Sequence, residues 1–411
     1  MRNFRFQWPA DLLTSCAFEM ETLILGWYVL VETGSVVLLT VFGMLQYTGT
    51  LVAPMFGVAG DRIGHRAVLC GMRAAYSVLA ATIVGFAFAG VLSPLLVLVM
   101  TGLMGMVRPC DLGVRMALAC DTMPADHLVP AMGILRTTSD CARVGGTLTG
   151  AGIFAAFGLG PAYVAVLGFY VLGLLLTLLI APTPIKLQTP AAVVGHPQPS
   201  TWRDLGEGLA HVWSTPELLA AMLLAFLVNL TAYPLTGGLL PYVAKEVYHI
   251  DQTGLGYLVA SFAGGALVGS LAVIVRGGVR PARAMILSSV AWYAALLVFA
   301  QMRSPYGAVA MLAIAGFAQS FCMVTLAVLL VQKSHAKFRG RVMGVRMLVI
   351  YSLPFGLLGA GALVARIGFG ATATFYALAG LLLTLAIALW WRDELWHRAL
   401  PASAGRQGAA F

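Results

Sequence analysis

The sequence predicts an all-α integral membrane protein with twelve transmembrane helices in two bundles of six. Three observations predict this class: an apolar composition, a series of long apolar runs, and a weak repeat of the first half in the second. Hydrophobic residues make up 60% of the 411 residues and charged residues only 10%. A soluble protein carries roughly 25% charged residues, so the surrounding solvent is expected to be lipid.

The apolar runs are long enough to cross a bilayer, which requires about 20 helical residues. Gly and Pro mark tight turns between them, as in "FGLGP" (157–161) and "RSP" (303–305). The predicted spans are 10–32, 35–59, 67–91, 94–119, 128–156, 160–181, 217–243, 252–276, 281–302, 304–331, 338–366 and 370–391.

The longest segment between predicted spans is 182–215. Its first part is rich in Pro and small residues, which is typical of a linker. Its second part, 201–213, has an aromatic residue near each end and predicts an interfacial helix. The predicted units are an N-terminal six-helix bundle (1–181), a cytoplasmic linker with an interfacial helix (182–215), a C-terminal six-helix bundle (216–392) and a cytoplasmic tail (393–411).

Basic residues predict the orientation of the chain. If the N-terminus is cytoplasmic, most Lys and Arg residues outside the spans fall in cytoplasmic segments, and only Lys245, Arg303 and Arg366 fall on the other side. Such an excess marks the cytoplasmic side of a membrane protein. We therefore expect a multi-pass protein with both termini in the cytoplasm.

The two halves of the chain resemble each other. "LMGMVRPCD" (103–111) aligns with "IAGFAQSFC" (314–322), and "GFYVLGLLLTL" (168–178) resembles "TFYALAGLLLTL" (374–385). A parallel repeat of six spans is typical of secondary transporters, whose substrate site lies near the midplane between the bundles. The repeat therefore predicts both the architecture and the place of the site.

Charges occur inside spans 4 and 5 at helical spacing, which places them on one face of each helix. They are Arg108, Asp111 and Arg115, and Arg136, Asp140 and Arg143. An ionisable residue at the bilayer centre costs several kcal/mol and faces a cavity or pairs with another charge. Two interpretations stay open: structural ion pairs, which suit Arg115 and Arg136 near the cytoplasmic end, or a substrate cavity.

Span 1 carries Glu19 and Glu21. Residues two apart lie about 200° apart around a helix, so the two carboxylates face different directions, and we expect Glu21 to face the cavity. Because arginine stays protonated, proton coupling requires a carboxylate. Glu19 and Glu21 are the candidates, since their own helix places no basic residue near them.

The second half lacks these charges. Gln319 stands where the first half has Arg108, and Cys322 stands where it has Asp111. The predicted polar cavity residues of this half are Asn229, Tyr233, Gln319 and Arg346. A charged wall that faces an apolar, aromatic wall suits an amphipathic substrate.

The loop between spans 2 and 3 reads "GVAGDRIGHR" (57–66). Gly60 and Gly64 permit close packing and unusual backbone angles there. The loop resembles the signature G-x-x-x-D-R-x-G-R-R of the major facilitator superfamily. The matching residues are Gly57, Asp61, Arg62, Gly64 and Arg66.

The resemblance implies a conformational gate at this loop. Asp61 would brace the first bundle against the start of helix 11 and would be released as the cavity changes sides. Arg62 would pair with an acid near the end of helix 4, for which Asp121 is the candidate.

Other stretches resemble one branch of that superfamily, the drug/proton antiporters that include macrolide and enterobactin exporters. They include "RNFRFQW" (2–8) and "KFRGRVMGV" (337–345). The resemblance implies proton-coupled efflux of a drug- or siderophore-like molecule across a bacterial-type inner membrane by a monomer. Two departures weaken the match: loop 276–283 lacks the signature aspartate, and the glycine motif of helix 5 is only partly present at 145–152.

Alternative functions are a proton-coupled symporter or exchanger of an organic anion, because cavity arginines suit carboxylate or phosphate, and a metal exporter. Most cysteines fall at no ligand-pair spacing, which disfavours a metal site. Every histidine falls in a loop or at a span end, which argues against an enzyme. No cofactor or nucleic-acid partner is expected, since basic residues punctuate apolar runs and form no patch.

Overall fold

The computed structural model describes residues 2–123, 125–181, 201–276, 280–334 and 339–396, and every regular element in these ranges is helical. The α-helices are α1 (Arg2–Thr33), α2 (Val36–Leu45), α3 (Ala53–Ile63), α4 (His65–Phe88), α5 (Pro94–Thr122), α6 (Ala125–Phe157), α7 (Leu159–Leu178), α8 (Thr201–Ser214), α9 (Pro216–Thr231), α10 (Leu240–Tyr242), α11 (Gln252–Arg276), α12 (Pro281–Gln301), α13 (Pro305–Lys333), α14 (Arg339–Ile350), α15 (Ser352–Ile367), α16 (Phe369–Trp390) and α17 (Arg392–Trp396). A 3₁₀ turn (Thr48–Val52) precedes α3, and two π-helical turns (Pro234–Gly238 and Val243–Val247) flank α10.

Nine helical segments in the described ranges are long and apolar enough to cross a membrane. Helix α1, the α2–α3 segment and α6 complete a set that agrees with the twelve predicted spans. The predicted fold class, an all-α integral membrane protein built from two helical bundles, is confirmed.

Three predicted spans are interrupted instead of continuous. The second breaks at the 3₁₀ turn, the seventh at the π turns around Pro234 and Pro241, and the eleventh at Tyr351. The second span breaks near Gly49. A Cβ at this position would lie 2.0 Å from the Met106 backbone oxygen, so the two backbone segments approach more closely than a larger side chain allows. Such breaks are tolerated inside a membrane where the backbone lines a cavity or is buried in protein.

Glycines set the same close helix contact in both halves of the chain. A Cβ on Gly105 of α5 would lie 1.9 Å from the Leu45 backbone oxygen of α2. A Cβ on Gly316 of α13 would lie equally close to the Phe262 backbone oxygen of α11. Gly105 and Gly316 occupy the same place in the repeat alignment, so the repeat extends to the packing of the helices.

The two ends of the molecule differ in how the bundles meet. We call the end with Gly34, between α1 and α2, the loop 1–2 end, and the end with Gly64, between α3 and α4, the loop 2–3 end. Towards the loop 1–2 end, α11 packs on α6 and α15 packs on α2. Lys245 also donates to the Leu30 backbone oxygen across the bundles, at 3.4 Å. The bundles are therefore closed together at the loop 1–2 end.

Replacing Gly256 by Val is expected to weaken that closure. A Cβ at Gly256 would lie 2.5 Å from the Ala151 Cβ, which forces α6 and α11 apart. Overpacking of this kind costs about 1–3 kcal/mol. Spin labels on exposed Phe157 and Tyr306, in a chain without its native cysteines, should show a population at longer distances in Gly256→Val.

Gly264→Val is the matched control, because it lies on the same helix and nothing surrounds its Cβ position within 4 Å. Equal distance distributions in wild type, Gly256→Val and Gly264→Val would contradict the account of the closed end.

Candidate functional site

A cavity of about 190 Å³ lies between the two bundles. The N-terminal bundle contributes polar and charged residues: Glu19, Thr22, Gln46, Tyr47, Arg108 and Arg143. The C-terminal bundle contributes Tyr233, Thr236, Leu240, Pro241, Leu255, Val259 and Phe262. The N-terminal bundle also contributes the apolar residues Leu23, Leu39 and Phe42, so the charged lining residues lie on one side of the cavity and apolar residues lie on both.

A second depression of about 350 Å³ continues from the cavity along the N-terminal bundle towards the loop 2–3 end. It shares Glu19, Arg108 and Arg143 with the cavity and adds Asp111 and Arg115. Residues of the first bundle line it throughout. The charged wall therefore extends beyond the midplane in the direction opposite to the closed end.

Arg108 is held on the cavity wall by neutral acceptors. Its Nη1 donates to Thr22 Oγ1 at 2.9 Å and to Gln46 Oε1 at 2.8 Å, and its Nη2 donates to the Phe18 backbone oxygen at 3.2 Å. The guanidinium carbon also lies 4.6 Å from the centre of the Phe18 ring, which is a cation–π distance. These contacts fix the side chain in place and leave its charge without an ion-pair partner among the described residues.

Glu19 faces the cavity, and Arg143 of α6 lies beside it. Arg143 Nε is 3.7 Å from Glu19 Oε1, and both side chains are partly exposed. This pair joins α1 to α6 across the cavity wall. The fold thus brings the predicted cavity residues Arg108 and Arg143 together with Glu19, which was predicted as a proton-coupling residue.

Glu21 points away from the cavity, so the expectation that it rather than Glu19 faces the cavity is wrong. It is 5% exposed, and Tyr170 of α7 donates to its Oε2 at 2.5 Å. Helix α1 packs against α6 on one side and α7 on another, and two residues of separation send the two carboxylates to these different sides. Glu21 shares a small cleft behind the cavity with Arg108.

Four further charges form a buried cluster in the N-terminal bundle: Asp11, Arg73, Asp111 and Arg115. Arg73 donates to Asp11 Oδ1 and to the Thr177 hydroxyl. Arg115 pairs with Asp111 and lies 3.6 Å from Asp11. Each of the four residues is at most 4% exposed. Their charges sum to zero when all are ionised, which makes their burial tolerable.

This cluster separates residues that sequence spacing had grouped. Asp111 pairs with Arg115 four residues later, whereas Arg108 turns towards α1 and α2. Asp11 and Arg73 were missed as site residues, because neither has a charged partner at helical spacing on its own helix. The available signal was that each is an isolated charge in or at the edge of an apolar run.

The predicted polar residues of the C-terminal bundle have separate roles. Gln319 donates to the Tyr233 hydroxyl at 2.5 Å, and the Tyr233 ring meets Trp292 edge-on with a centroid distance of 5.3 Å. Asn229 donates to the Ala225 backbone oxygen within its own helix, at 2.8 Å. Gln319 therefore positions Tyr233 on the cavity wall, whereas Asn229 is bonded locally.

Two other predicted cavity residues, Asp140 and Arg346, are not among the residues that line the cavity or the adjoining depression. Asp140 is buried within α6, and Arg346 is partly buried within α14. The side chain of Arg136 falls outside the described part of the structure.

At the loop 2–3 end, Asp121 pairs with His65 and not with Arg62, so the predicted partner was wrong. The His65 Nδ1 to Asp121 Oδ2 distance is 2.6 Å, whereas Arg62 is exposed. Gly64 has a φ of 90°, which only glycine adopts readily, and the chain reverses there so that His65 begins α4. Gly57 and Asp61 lie in α3, but the surroundings of Gly57 and the side chain of Asp61 fall outside the described part of the structure.

Arg66 also has a definite contact at this end. Its Nη2 donates to the Leu178 backbone oxygen at the end of α7, at 2.8 Å. This bond satisfies one of the carbonyl groups that a helix leaves free at its C-terminus. Arg66 therefore ties the start of α4 to the end of α7 within the first bundle.

Two helical bundles that enclose a central cavity with charged groups are typical of a membrane transporter. The chain belongs to the Major Facilitator Superfamily, which its sequence matches over residues 12–358, and it is therefore a membrane transporter and not an enzyme. No curated protein matches the sequence.

Solved structures of transporters share the fold over nearly the whole chain. The nucleoside transporter NupG is 14% identical, with 95% of this chain and 100% of that chain covered and a TM-score of 0.72. The POT family transporter PepTSo is 12% identical, covering 95% and 98% of the two chains, with a TM-score of 0.75. A D-xylose–proton symporter is 14% identical, covering 92% and 95%, with a TM-score of 0.69. At these identities the likeness shows the fold alone.

The buried cluster predicts a non-additive effect on stability. Removing one partner leaves a buried charge uncompensated and costs about 3–5 kcal/mol. Asp11→Leu and Arg73→Leu should each lower the melting temperature of the purified protein. The double variant should recover much of the loss, because it removes a positive and a negative charge together.

Asp121→Leu serves as the control, because its exposed side chain lies outside the cluster. Additive losses in the Asp11→Leu/Arg73→Leu double variant would show that the two charges do not compensate each other.

Proposed function

We propose that the chain exports a small amphipathic molecule, drug- or siderophore-like, by alternating access with proton coupling. The observation that carries the proposal is the central cavity, which is charged on the N-terminal side and apolar and aromatic on the C-terminal side. An amphipathic molecule satisfies both walls at once. Secondary transporters of this architecture bind substrate at the midplane and rock one bundle against the other.

The conformation of the described residues supports alternating access. The bundles are in contact at the loop 1–2 end, and the charged wall continues towards the loop 2–3 end. The proposed orientation places both termini in the cytoplasm of a bacterial-type cell, with the protein a monomer in the inner membrane. The cavity then faces the cytoplasm, from which an exporter takes its substrate.

The proposed gate lies at the same cytoplasmic end. It consists of Gly57, Asp61, Arg62, Gly64, Arg66 and Asp121. The contact of Asp121 with His65 and the bond from Arg66 to Leu178 tie helix ends of the first bundle to one another. A bundle stiffened in this way can rotate as one body. The proposed units are the bundles 1–181 and 216–392, joined by the linker 182–215, with the tail 393–411.

Glu19 and Glu21 are the proposed proton carriers. Glu19 is accessible from the cavity and pairs with Arg143. When a proton neutralises Glu19, the attraction between α1 and α6 is lost and Arg143 is released to other partners. Glu21 lies behind the cavity with Tyr170 and in electrostatic contact with Arg108. Protonation of either carboxylate therefore changes the charge balance of the cavity wall.

A second candidate function is the symport or exchange of an organic anion. The observation that favours it is the presence of two arginines, Arg108 and Arg143, on a cavity that has one lining carboxylate, Glu19, among the described residues. One solved structure with this fold is the human organic anion transporter MFSD10, which adds a precedent for such a substrate in the fold.

Flux in proteoliposomes tests the proton role. A thermal-shift screen of amphipathic drugs, siderophores and organic anions supplies the transported compound. With an imposed pH gradient, Glu19→Gln is expected to lose gradient-driven transport and to retain exchange without a gradient, because its cavity still binds substrate but no longer carries the proton. Glu21→Gln is expected to weaken coupling in the same assay.

Glu32→Gln is the matched control, since Glu32 lies on the same helix, is exposed, and sits at the loop 1–2 end away from the cavity. Unchanged coupling in both Glu19→Gln and Glu21→Gln would exclude the proton role of these carboxylates.

A further inference from the structure

The positive charge of Arg108 has a fixed position and an incomplete set of partners. Its three hydrogen bonds within the described residues go to a hydroxyl, an amide oxygen and a backbone oxygen. A guanidinium has five N–H donors, so two of them remain for a further acceptor. Among the described residues no carboxylate lies within ion-pair distance of it.

The other charges of the cavity wall are already compensated. Arg143 lies beside Glu19, and Arg115 pairs with Asp111 in the buried cluster. Glu21 is engaged by Tyr170. The cavity therefore has one cation, Arg108, whose hydrogen-bond partners are all neutral. Glu21 acts on it only through space, from the cleft behind the cavity. In this region a charge without a direct partner is costly.

The opposite wall provides a place for hydrocarbon. Leu255, Val259 and Phe262 of α11 and Leu240 of α10 line the same cavity and carry no polar side-chain groups. Phe42 and Leu39 extend this apolar surface on the N-terminal side. The cavity thus places the Arg108 guanidinium on one side and an apolar surface on the other.

We propose that Arg108 anchors a single anionic oxygen group, such as a carboxylate, sulfonate or phosphate, of an amphipathic substrate whose apolar part packs against Leu255, Val259 and Phe262. This inference rests on the proposed transport function and names the substrate class of that site. The planar guanidinium matches the oxygens of such a group in two-point contact. The hydrogen bonds to the neutral side chains of Thr22 and Gln46 fix the position of the guanidinium and do not neutralise its charge.

A cationic amphipath fits this cavity less well. Glu19 would have to give up Arg143 to receive it, and the ligand would then share the cavity with the positive charge of Arg108. The arrangement therefore favours an anion over a cation of the same shape.

Three probes with one ring system and different charge test the proposal: 2-naphthoate, 2-naphthamide and 2-naphthylmethylammonium. Their binding to the full chain in phosphatidylcholine nanodiscs is measured by calorimetry. The wild-type chain should bind naphthoate more tightly than the amide, by about tenfold or more, as expected for a charge-assisted hydrogen bond. The ammonium probe should bind most weakly.

Arg108→Gln should bring the naphthoate affinity down to that of the amide and leave amide binding in place, which also shows that the variant is folded. Arg108→Lys keeps the charge but loses the planar fork, and should fall between the two. Arg366→Gln is the matched surface control, because this exposed arginine lies at the loop 1–2 end, and it should bind all three probes as the wild type does.

Three results would overturn the assignment. They are equal affinity of the wild type for the three probes, no naphthoate binding to the wild type, and a larger loss of naphthoate affinity in Arg143→Gln than in Arg108→Gln.

A lipid headgroup offers the same anionic oxygens. Loss of naphthoate binding when phosphatidylglycerol is added to the nanodiscs would therefore assign the site to lipid and overturn the small-molecule substrate. Gradient-driven flux of the amide or ammonium probe with no flux of naphthoate would retain the transport function and reject the anionic class.

Discussion

An ionised side chain inside a membrane must have a counter-charge or face a polar cavity, and the N-terminal bundle meets this requirement in two ways. Asp11, Arg73, Asp111 and Arg115 neutralise one another in a closed cluster where each is at most 4% exposed. Glu19, Arg108 and Arg143 instead lie on a cavity shared with the other bundle. The first arrangement stabilises the bundle, and the second leaves charged side chains accessible to a substrate or a proton.

Comparison of the two repeats shows that the charges are a feature of the first half alone. Gly105 and Gly316 make equivalent close contacts, so both halves keep the same helix packing. At the position equivalent to Arg108 the second half has Gln319, which holds Tyr233 on the cavity wall. Because the fold persists without the charges, their presence in the first half is not required for packing of the repeat. The asymmetry gives the cavity its charged and apolar sides.

The sequence was sufficient for the helical membrane fold and for the place of the turns between spans, and it pointed to the charges of helices α5 and α6. These features depend on local apolar length, glycine and proline, and the repeat, which are all readable along the chain. Spacing also showed that Glu19 and Glu21 face different directions. It did not show which of them faces the cavity, since that depends on how α1 sits between α6 and α7.

The partners of the charges were less predictable, for a physical reason. Spacing on one helix identifies partners within that helix, such as Asp111 and Arg115, but the contacts of Arg73 with Asp11 and of Arg143 with Glu19 join different helices. Such pairs depend on the rotation and depth of each helix in the bundle. The same limit explains why Asp121 meets His65 instead of Arg62, since the turn at Gly64 sets which side chain faces α5.

The most direct test of the account is the accessibility of the central cavity from the two sides of the membrane. Val259 lines the cavity from the C-terminal bundle, and Val259→Cys in a chain without its native cysteines places one thiol there. In sealed vesicles of defined orientation without substrate, a membrane-impermeant maleimide should react from the loop 2–3 side, and during transport it should react from both sides. Reaction from neither side, or from the loop 1–2 side without substrate, would contradict an alternating cavity between the bundles.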